Sequence, residues 1–287
     1  MISILIQTLN EEANLPDCLA SCKWSDDIHI LDSYSSDKTV EIARAHGAQV
    51  WFRKFDSFGP HQNWALENIP FKHPWIFHFD ADERITPELA QSMLAAAQNP
   101  GGHVAFGVQR RDFFLGRWLK HVQMTAWYDR LFMPEKMRYE RLVHCIAKAD
   151  GPVGRVQGFL DHNPFSKGIG DWVQKHNSYS TFEAQQTLTN LSGGKKPSIS
   201  AALFTRDRIE RRRNLKELYY AMPARPFIKF LVMYVGKRGF LDGYPGFAYS
   251  VLIAFYEFLI VLKTRELKAK GAAASQTADS ATRQEPS

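Results

Sequence analysis

The sequence predicts an α/β fold in which a mainly parallel sheet is flanked by helices and followed by a helical C-terminal region. Over the first ninety residues, short apolar runs alternate with helix-like segments, and such crossovers imply parallel strands covered by helices. The chain has 287 residues, of which 45% are hydrophobic, enough for a substantial core. From Arg225 onward, long apolar runs interrupted by single charges replace the alternation.

The elements of the first ninety residues can be placed one after another. The alternation predicts four strands and three intervening helices, in the order "ISILI", "NLPDCLASC", "DIHIL", "DKTVEIARAHG", "AQVWF", "PHQNWALENI" and "WIFHF". In sheets of this kind, ligands bind beyond the carboxyl ends of the strands. Residues 8–12, 32–37 and 80–83 follow those ends and are therefore the predicted ligand-binding positions.

Composition divides the chain into three parts. After Ala97 the pattern becomes irregular and aromatic, which indicates an acceptor-facing half of the same domain. Residues 191–200, "LSGGKKPSIS", have the composition of a linker. We therefore expect a catalytic domain over residues 1–190, a basic amphipathic helical region over residues 191–265 and a disordered tail over residues 266–287, where hydrophobic residues are few.

The C-terminal region combines cations with apolar runs, which predicts an anionic inner-membrane surface as its partner. Eight Lys and Arg residues stand against three acids between Arg206 and Lys229. The apolar run from Gly246 to Leu262 contains Glu257, so an interfacial or re-entrant segment fits better than a spanning helix. A buried helical hairpin, or a dimer interface in a homo-oligomer, is the alternative. No reading motif accompanies the net charge of +6, so nucleic acid is not expected.

Three acids, Asp80, Asp82 and Glu83, follow the fourth strand within four positions. Their carboxylates would repel one another, and their pKa values would rise, unless a cation lay between them. Asp80 and Asp82 can both approach one ion, and hard oxygen ligands favour Mg²⁺ or Mn²⁺. The DxD pattern is common by chance, and an exposed acidic turn before a helix capped by Thr86 is the alternative. The position at the end of a strand favours the metal.

The first and second strands are followed by polar residues suited to a nucleotide. A lone carboxylate at Asp32 can accept a hydrogen bond from a base N–H, and the hydroxyls that follow it can serve a ribose or cap the next helix. Thr8, Asn10 and Glu12 lie in the same predicted crevice. No GxGxxG motif follows the first strand, so a dinucleotide site is not expected.

Four segments stand in a fixed order along the chain: "SILIQTLNEEANLPDCLAS", "ILDSYSSDKTVEIA", "HQNWALE" and "WIFHFDADERITPEL". Together they resemble family 2 glycosyltransferases with the GT-A fold, particularly the bacterial branch that builds lipopolysaccharide core and exopolysaccharide. The resemblance extends from Met1 to about Glu183. It continues more loosely into "RPFIKFLVMYVGKRGFLDGYPG", which is similar to the tail of membrane-associated members.

The resemblance implies a role for each of several residues. Its donor is a UDP-sugar, with Mn²⁺ or Mg²⁺ on the diphosphate. Thr8, Asn10, Glu12 and Asp32 would line the nucleotide pocket with Asp32 facing uracil, Lys54 and Asn63 would contact ribose, phosphate or donor sugar, and Asp80 and Asp82 would hold the metal. His162 is placed to be a third metal ligand or a diphosphate contact, and Lys167 and Lys175 would lie near the leaving group.

The sequence offers two candidates for the general base. Related members often have an acid directly after a histidine in a "VHE" element, whereas this chain has "LVHC" at residues 142–145. Cys145 cannot replace a carboxylate base at its ordinary pKa. His144, which has a suitable ordinary pKa, and Glu140, which precedes it by four residues, are the two candidates.

The expected function is inverting transfer of a sugar to a lipid-linked or lipopolysaccharide acceptor. The start of the chain lacks the basic region of a signal peptide, so we expect a peripheral or monotopic protein on the cytoplasmic face of the bacterial inner membrane. A polyprenyl-phosphate sugar transferase is one alternative, because an anionic acceptor needs no base. A non-catalytic membrane scaffold with a degenerate nucleotide site is another.

Overall fold

The computed structural model describes residues 1–123, 125–140, 146–193, 218, 219, 222 and 224–282. The chain forms two compact units, of which one comprises Met1–Lys120 with Met124–Lys167, and the other His121–Gln123 with Gly168–Ser287. The sequence places the main boundary at residue 190 instead of 167. The difference arises because the helix that begins at Gly168 packs against the C-terminal helix.

The first unit is built on a mixed sheet with a parallel first half. Its strands are β1 (Ser3–Thr8), β2 (Ile28–Asp32), β3 (Gln49–Phe52), β4 (Ile76–Asp80), β5 (Glu83–Ile85), β6 (Ala105–Phe114), β7 (Arg117–Trp118), β8 (Trp127–Phe132) and β11 (Val153–His162). The order is β3-β2-β1-β4-β8-β6-β11-β5, with β7 paired to β6. The first four strands of that order are parallel, which confirms the predicted βαβαβαβ pattern.

The second half of the sheet reverses direction. Strand β8 is antiparallel to both β4 and β6, whereas β11 is parallel to β6 and antiparallel to β5. Two further strands, β9 (Met137–Glu140) and β10 (Ile146–Ala149), form an antiparallel pair of their own. The helices of this unit are α1 (Leu15–Ser21), α2 (Thr39–Ala45), α3 (Phe58–Asn68) and α4 (Pro87–Gln98), and a 3₁₀ turn covers Pro134–Lys136.

The hydrophobic core lies on both faces of the sheet, as the alternation along β4 illustrates. Phe77 and Phe79 belong to the cluster that includes residues of α1 and α4, whereas Ile76 belongs to the cluster that includes Ala65 of α3. Successive side chains of a strand point to opposite faces, so one strand serves both clusters. Both faces of β4 are covered, and Asp80, at its carboxyl end, is the residue of this strand that is partly exposed.

At the opposite end of the sheet, a buried carboxylate joins three segments. Asp27 precedes β2, and its Oδ2 accepts hydrogen bonds from Ser3 Oγ over 2.5 Å and from the Lys72 backbone N–H over 2.9 Å. His29 Nε2 lies 2.9 Å from Asp27 Oδ1. Burial alone would raise the pKa of Asp27, but the bonds from Ser3 and Lys72 lower it below its ordinary value. The ionised carboxylate therefore ties β1 and β2 to the segment before β4.

The second unit contains a long helix and a helical hairpin. They are α5 (Gly168–Gly193), α6 (Arg225–Leu231) and α7 (Gly243–Thr282), with a π-helical turn at Val232–Gly236 and a 3₁₀ turn at Gly239–Asp242 between the last two. Gly246 permits the tight return, because a Cβ at that position would lie 2.1 Å from the carbonyl oxygen of Gly239. The sequence predicts a disordered tail from residue 266, and the structure differs by continuing α7 to Thr282. The alanines at 272–274 favour helix.

Buried charges stabilise the hairpin from within. Arg225 is 1% exposed, and its Nε lies 3.3 Å from Glu257 Oε2 on the facing helix. Asp242, at the turn, accepts hydrogen bonds from the backbone N–H groups of His121 and Val122 over 2.9 and 2.8 Å. Glu257, the charge that argues against a spanning helix, therefore has a counter-ion within the same unit.

Apolar side chains cover the outside of the hairpin. Those exposed are Phe227, Leu231, Val232, Val235, Phe240, Leu241, Tyr244, Phe247, Val251, Phe255, Phe258 and Leu262. In the described part of the chain, the segment Gly239–Lys270 is long and apolar enough to cross a membrane by length and composition alone, and 22% of its most apolar stretch is buried. An exposed apolar surface of this size is typical of an interaction site.

We expect Asp27→Ala to lower the free energy of unfolding by about 1–3 kcal/mol at pH 7, because it leaves buried donors without an acceptor. Since the pKa of Asp27 is lowered in the folded state, its contribution is complete above the unfolded pKa of about 3.9 and is lost as the pH falls through the folded pKa. In urea titrations, the free energies of unfolding of Asp27→Ala and wild type should therefore approach each other below about pH 4.

Asp26→Ala is the matched control for this measurement. Asp26 is the neighbouring carboxylate, is half exposed and pairs with Lys72 and His73 at the surface. We expect Asp26→Ala to lower the free energy of unfolding much less than Asp27→Ala does, because solvent screens a surface ion pair. An equal cost for the two variants would show that Asp27 does not tie these segments together.

Candidate functional site

The carboxyl ends of β1, β2 and β4 bring predicted nucleotide and metal residues to one edge of the sheet. These strands are parallel neighbours, with Thr8 opposite Asp32 in register and Gln7 opposite Asp80. Thr8, Asp32 and Asp80 therefore lie on adjacent strands although they are far apart in sequence. The edge is the position at which α/β sheets bind ligands.

Asp32 is fully buried, and three donors hold its carboxylate. Thr8 Oγ1 donates to it over 2.7 Å, the Ser35 backbone N–H over 2.7 Å and Ser35 Oγ over 2.6 Å. A buried charge requires such donors, because transferring an unpaired carboxylate out of water is costly. Asp32 therefore has one fixed orientation, and the hydrogen bond from Thr8 helps to maintain it.

The two polar loops at this edge bind each other. Asn10, whose φ of 56° lies in the left-handed region that asparagine tolerates, donates its backbone N–H to Ser35 Oγ over 2.8 Å. Its Oδ1 accepts from the Ser36 backbone N–H over 2.8 Å. Glu12 Oε2 accepts from the Lys38 backbone N–H over 3.0 Å. The predicted residues Asn10 and Glu12 therefore join the loops after β1 and β2 into one rim.

Asp80 and Asp82 each face a cation of the protein. Asp80 Oδ2 accepts a hydrogen bond from Arg130 Nη2 of β8 over 3.2 Å, and its side chain is 45% exposed. Asp82, which is 24% exposed, lies with Oδ2 at 3.3 Å from Nε2 of His162 at the end of β11. Both carboxylates therefore reach solvent at the edge of the sheet, with a positive group beside each.

Glu83 differs from the two aspartates because it is fully buried. Its Oε2 accepts the backbone N–H of Asp80 over 2.8 Å. Its Oε1 lies 3.5 Å from Arg110 Nη1 and 3.7 Å from Arg130 Nη2. Strand β5 begins at Glu83 and directs this side chain inward. The third acid of the sequence cluster therefore holds two arginines in place and does not face solvent.

The pKa values within the cluster are shifted in opposite directions. Burial alone would raise the pKa of Asp80, but the Arg130 guanidinium beside it lowers that pKa to about 2. Burial raises the pKa of Glu83, and Arg130 opposes this only in part. For His162, burial would lower the pKa, yet hydrogen bonds with Asp112 and Asp82 raise it to about 9. In these surroundings, Asp80 is ionised and His162 is protonated at neutral pH.

Sequence analysis misses three members of this cluster, Arg110, Asp112 and Arg130. Arg110 and Asp112 lie on β6 and Arg130 on β8, all within the half of the domain that has no clear pattern. The available signal was the spacing in "RRD", since residues two apart share a face of a strand. What the sequence does not provide is the pairing of β6 with β8 and β11, which brings these residues to the acids.

Asp80, Asp82 and His162 fit a divalent ion in residue type and partly in position. Carboxylate oxygens suit Mg²⁺ and Mn²⁺, and a histidine can complete such a set. Ligands about 2.1 Å from one ion lie about 3 Å apart, close to the 3.3 Å between Asp82 and His162. The described residues contain no three such groups already gathered around one point. A metal ion held by these residues would displace the proton of His162.

Three other predicted residues are engaged near this edge or exposed. Asn63 forms two hydrogen bonds with the backbone of Tyr139, donating from Nδ2 and accepting at Oδ1, each over 2.9 Å. Lys167 pairs with Glu11 over 2.6 Å. Lys54 is exposed after β3. Asn63 therefore fixes the position of β9, and its predicted contact with the donor stays a prediction.

The other predicted residues are Lys175, Glu140 and His144. Lys175 is exposed on α5, in the second unit, with Nζ 6.0 Å from the centre of the Tyr179 ring. Glu140 ends β9 and accepts a hydrogen bond from Lys148 Nζ over 3.0 Å. His144 lies outside the described residues. The choice of a general base therefore stays a prediction.

Comparison with known proteins identifies related sequences over most of the chain. Residues 3–158 match the family model described as Glycosyl transferase family 2. The lipopolysaccharide core biosynthesis glycosyltransferase LpsC of Rhizobium meliloti (strain 1021) is 28% identical over 275 residues, which cover 91% of this chain and 91% of that protein. An uncharacterized glycosyltransferase of Rickettsia bellii (strain RML369-C) is 26% identical over 291 residues, 97% of this chain and 90% of that protein.

A solved structure is similar over a smaller part of the chain. Glucosyl-3-phosphoglycerate synthase from Mycobacterium tuberculosis, in complex with Mn²⁺, UDP and glucosyl-3-phosphoglycerate, matches with 22% identity and a TM-score of 0.33. The match covers 40% of this chain and 44% of that chain. The family match is the broader finding, because it includes Asp32, Asp80 and Asp82. His162 lies beyond its end.

We expect Arg130→Met to lower the free energy of unfolding by about 3–5 kcal/mol at pH 7, because it removes a partner from the buried carboxylate of Glu83. The deficit should shrink as the pH falls. The pKa of Glu83 is raised in the folded state, and loss of Arg130 raises it further. As the pH falls, Glu83 therefore binds a proton in the native state at a higher pH than in the unfolded state, where its pKa is about 4.3. Urea titrations at pH 7 and pH 5 measure this difference.

Arg111→Met provides the control for Arg130→Met. Arg111 lies on β6 beside Arg110 and forms an ion pair with Asp161 over 2.6 Å, and both side chains are 24% exposed. We expect this variant to cost about 1 kcal/mol with little change between the two pH values. If Arg130→Met behaved in the same way as Arg111→Met, Glu83 would not depend on Arg130.

Proposed function

The chain belongs to glycosyl transferase family 2 and has its GT-A type of fold, and on this premise we propose that it moves a sugar from a UDP-sugar to a lipid-linked saccharide or lipopolysaccharide-core acceptor. Transfer proceeds with inversion at the anomeric carbon and depends on Mn²⁺ or Mg²⁺. The observation that carries the proposal is the position of Asp32, Asp80 and Asp82 at the carboxyl ends of parallel strands.

Each side of this edge has its own role in the proposal. Asp32, oriented by Thr8 and Ser35, faces the uracil, and the rim formed by Asn10 and Glu12 borders the nucleoside. The fixed orientation of Asp32 supports this role, because recognition of a base N–H needs an acceptor that is already in place. Lys167, paired with Glu11 at the same rim, contributes a positive charge for the diphosphate.

The acids on the other side of the edge serve the leaving diphosphate. Asp80 and Asp82, with His162, would hold a divalent ion, whose contribution when bound is to neutralise charge on the departing nucleoside diphosphate. Arg130 keeps Asp80 ionised, and Glu83 keeps Arg130 in position. These residues prepare a site in which negative charge can accumulate during bond breaking.

The acceptor hydroxyl attacks from the face opposite the diphosphate and gives up its proton to a base. His144 and Glu140 are the proposed candidates. Glu140 Oε1 lies 3.0 Å from Lys148 Nζ, and a carboxylate there could accept the proton of the acceptor hydroxyl. A polyprenyl-phosphate acceptor would need no base and is the second candidate. Its glycosyl phosphate product is acid-labile, whereas transfer to a hydroxyl gives a stable glycoside.

The hairpin and the relatives support the proposed acceptor class and location. LpsC, which is 28% identical to this chain, is a lipopolysaccharide core biosynthesis glycosyltransferase, and this supports a lipopolysaccharide-core acceptor here. The exposed apolar surface of α6, α7 and the turns between them suits an anionic bilayer, with Lys229, Lys237 and Arg238 nearby as cations. We place the protein on the cytoplasmic face of the inner membrane as a peripheral or monotopic enzyme.

Calorimetric titration of UDP, with and without Mn²⁺, tests the donor site. In wild type we expect Mn²⁺ to strengthen UDP binding by at least about tenfold, or 1.4 kcal/mol. Asp82→Asn should lose this gain, because it removes an anionic ligand. Asp150→Asn, at an exposed carboxylate paired with Lys136, should retain it. If wild type bound no UDP with or without Mn²⁺, the transferase proposal would fail and a scaffold role would be favoured.

Vesicle flotation tests the membrane surface of the hairpin. We expect wild type to bind vesicles made of equal parts phosphatidylcholine and phosphatidylglycerol. Replacing Phe240, Tyr244 and Phe247 with serine should weaken binding at least about tenfold, since each side chain buried in lipid contributes about 1.5–3 kcal/mol. Leu115→Ser, at a 58% exposed apolar residue of the first unit, is the control. Unchanged binding of the triple variant would show that lipid contacts another surface.

A further inference from the structure

Asp112 and His162 form a pair that the proposed roles do not explain. They lie opposite each other on the parallel strands β6 and β11, so the sheet register fixes their separation. His162 Nδ1 lies 2.5 Å from Asp112 Oδ1, and its Nε2 lies 3.3 Å from Asp82 Oδ2. Asp112 is 6% exposed, and His162 is 14% exposed in its side chain. The imidazole is therefore held between two carboxylates, one buried and one at the edge.

The two ring nitrogens consequently have different tasks. A buried carboxylate at Nδ1 makes that nitrogen the N–H donor, because a carboxylate can only accept. The other nitrogen, Nε2, is then directed to the side on which Asp82 lies. A carboxylate behind a histidine fixes its tautomer and ring orientation and makes it a better metal ligand.

We propose that Asp112 is a positioning residue that orients His162 Nε2 toward a divalent cation shared with Asp80 and Asp82. The inference rests on the proposed function, since it assigns a supporting residue to that same site. Asp112 does not contact the cation itself. Its effect passes through the Nδ1–H hydrogen bond of His162, which the register between β6 and β11 maintains.

A purely structural role for Asp112 makes a different prediction. Arg110 Nε lies 3.3 Å from Asp112 Oδ1, so the carboxylate could serve only to balance that guanidinium. In that case, removing the carboxylate would lower stability without changing the affinity for a metal ion. Arg110 also has Glu83 as a partner at 3.5 Å, so it retains one acid when Asp112 is changed. The two roles can therefore be separated by measuring metal binding.

The experiment is a Mn²⁺ titration of the full chain followed by electron paramagnetic resonance, with and without UDP. We expect Asp112→Asn to weaken Mn²⁺ binding about tenfold and Asp112→Ala up to about a hundredfold, the range found for residues behind metal-binding histidines. Asp161→Asn is the matched control. Asp161 directly precedes His162 on β11, points to the other face and pairs with Arg111. The Asp161→Asn variant should therefore bind Mn²⁺ with the affinity of wild type.

Nitrogen-15 NMR of the wild-type histidines tests the proposal without any variant. On titration with Mg²⁺, the His162 Nε2 resonance should shift while Nδ1 stays protonated. A variant is compared with wild type only if its circular dichroism spectrum is native.

The titrations can overturn the positioning role of Asp112 and the metal site separately. If Asp82→Asn abolished Mn²⁺ binding while both Asp112 variants kept the wild-type affinity, the positioning role would be overturned and the proposed metal site would stand. Nδ1 rather than Nε2 shifting with Mg²⁺ would likewise overturn it. If Asp82→Asn left Mn²⁺ binding unchanged, the metal site of the proposed function would fail, and the role of Asp112 would fail with it.

Discussion

The buried carboxylate of Glu83 is the charge on which the first unit depends. It lies at the start of β5 with no exposed surface, and a charge in that position is tolerated only when cations and donors surround it. The backbone of Asp80 supplies one donor, and Arg110 and Arg130 supply the positive charge. Because these arginines come from β6 and β8, the compensation links the regular half of the sheet to the irregular half. Electrostatic attraction thus adds to the backbone hydrogen bonds that join the strands.

The same balance determines what the edge of the sheet can accept. Four carboxylates, those of Asp80, Asp82, Glu83 and Asp112, meet the cations of Arg110, Arg130 and protonated His162. Acidic groups therefore outnumber basic ones by four to three at this edge. Under the proposed function, a divalent ion held by Asp80, Asp82 and His162 would offset the acids. It would thereby reduce the repulsion that the charge of a nucleoside diphosphate meets there.

The regular half of the fold could be predicted from the sequence, and the irregular half could not. Periodic apolar runs identified β1 to β4 and the helices between them, and the carboxyl ends of those strands located Asp32, Asp80 and Asp82. The role of Glu83 was not predictable, because a sequence does not say which of three neighbouring acids a short strand turns inward. Arg110, Arg130 and Asp112 were missed since their position depends on antiparallel and parallel pairings across dozens of residues. The hydrogen bonds of Asn63 with the backbone of Tyr139 were missed for the same reason, because the two residues are 76 positions apart, and its assignment to the ligand stays a prediction.

The ion pair between Arg225 and Glu257 has a consequence for the membrane contact proposed for the hairpin. Each charge alone would favour water and resist transfer from it, and together they form a neutral dipole enclosed by two helices. The hairpin therefore presents mainly apolar side chains at its surface and keeps this ion pair in its interior. Its depth in a bilayer would be set by its surface residues alone. A count of charges along the sequence overstates the resistance of this segment to entering the lipid.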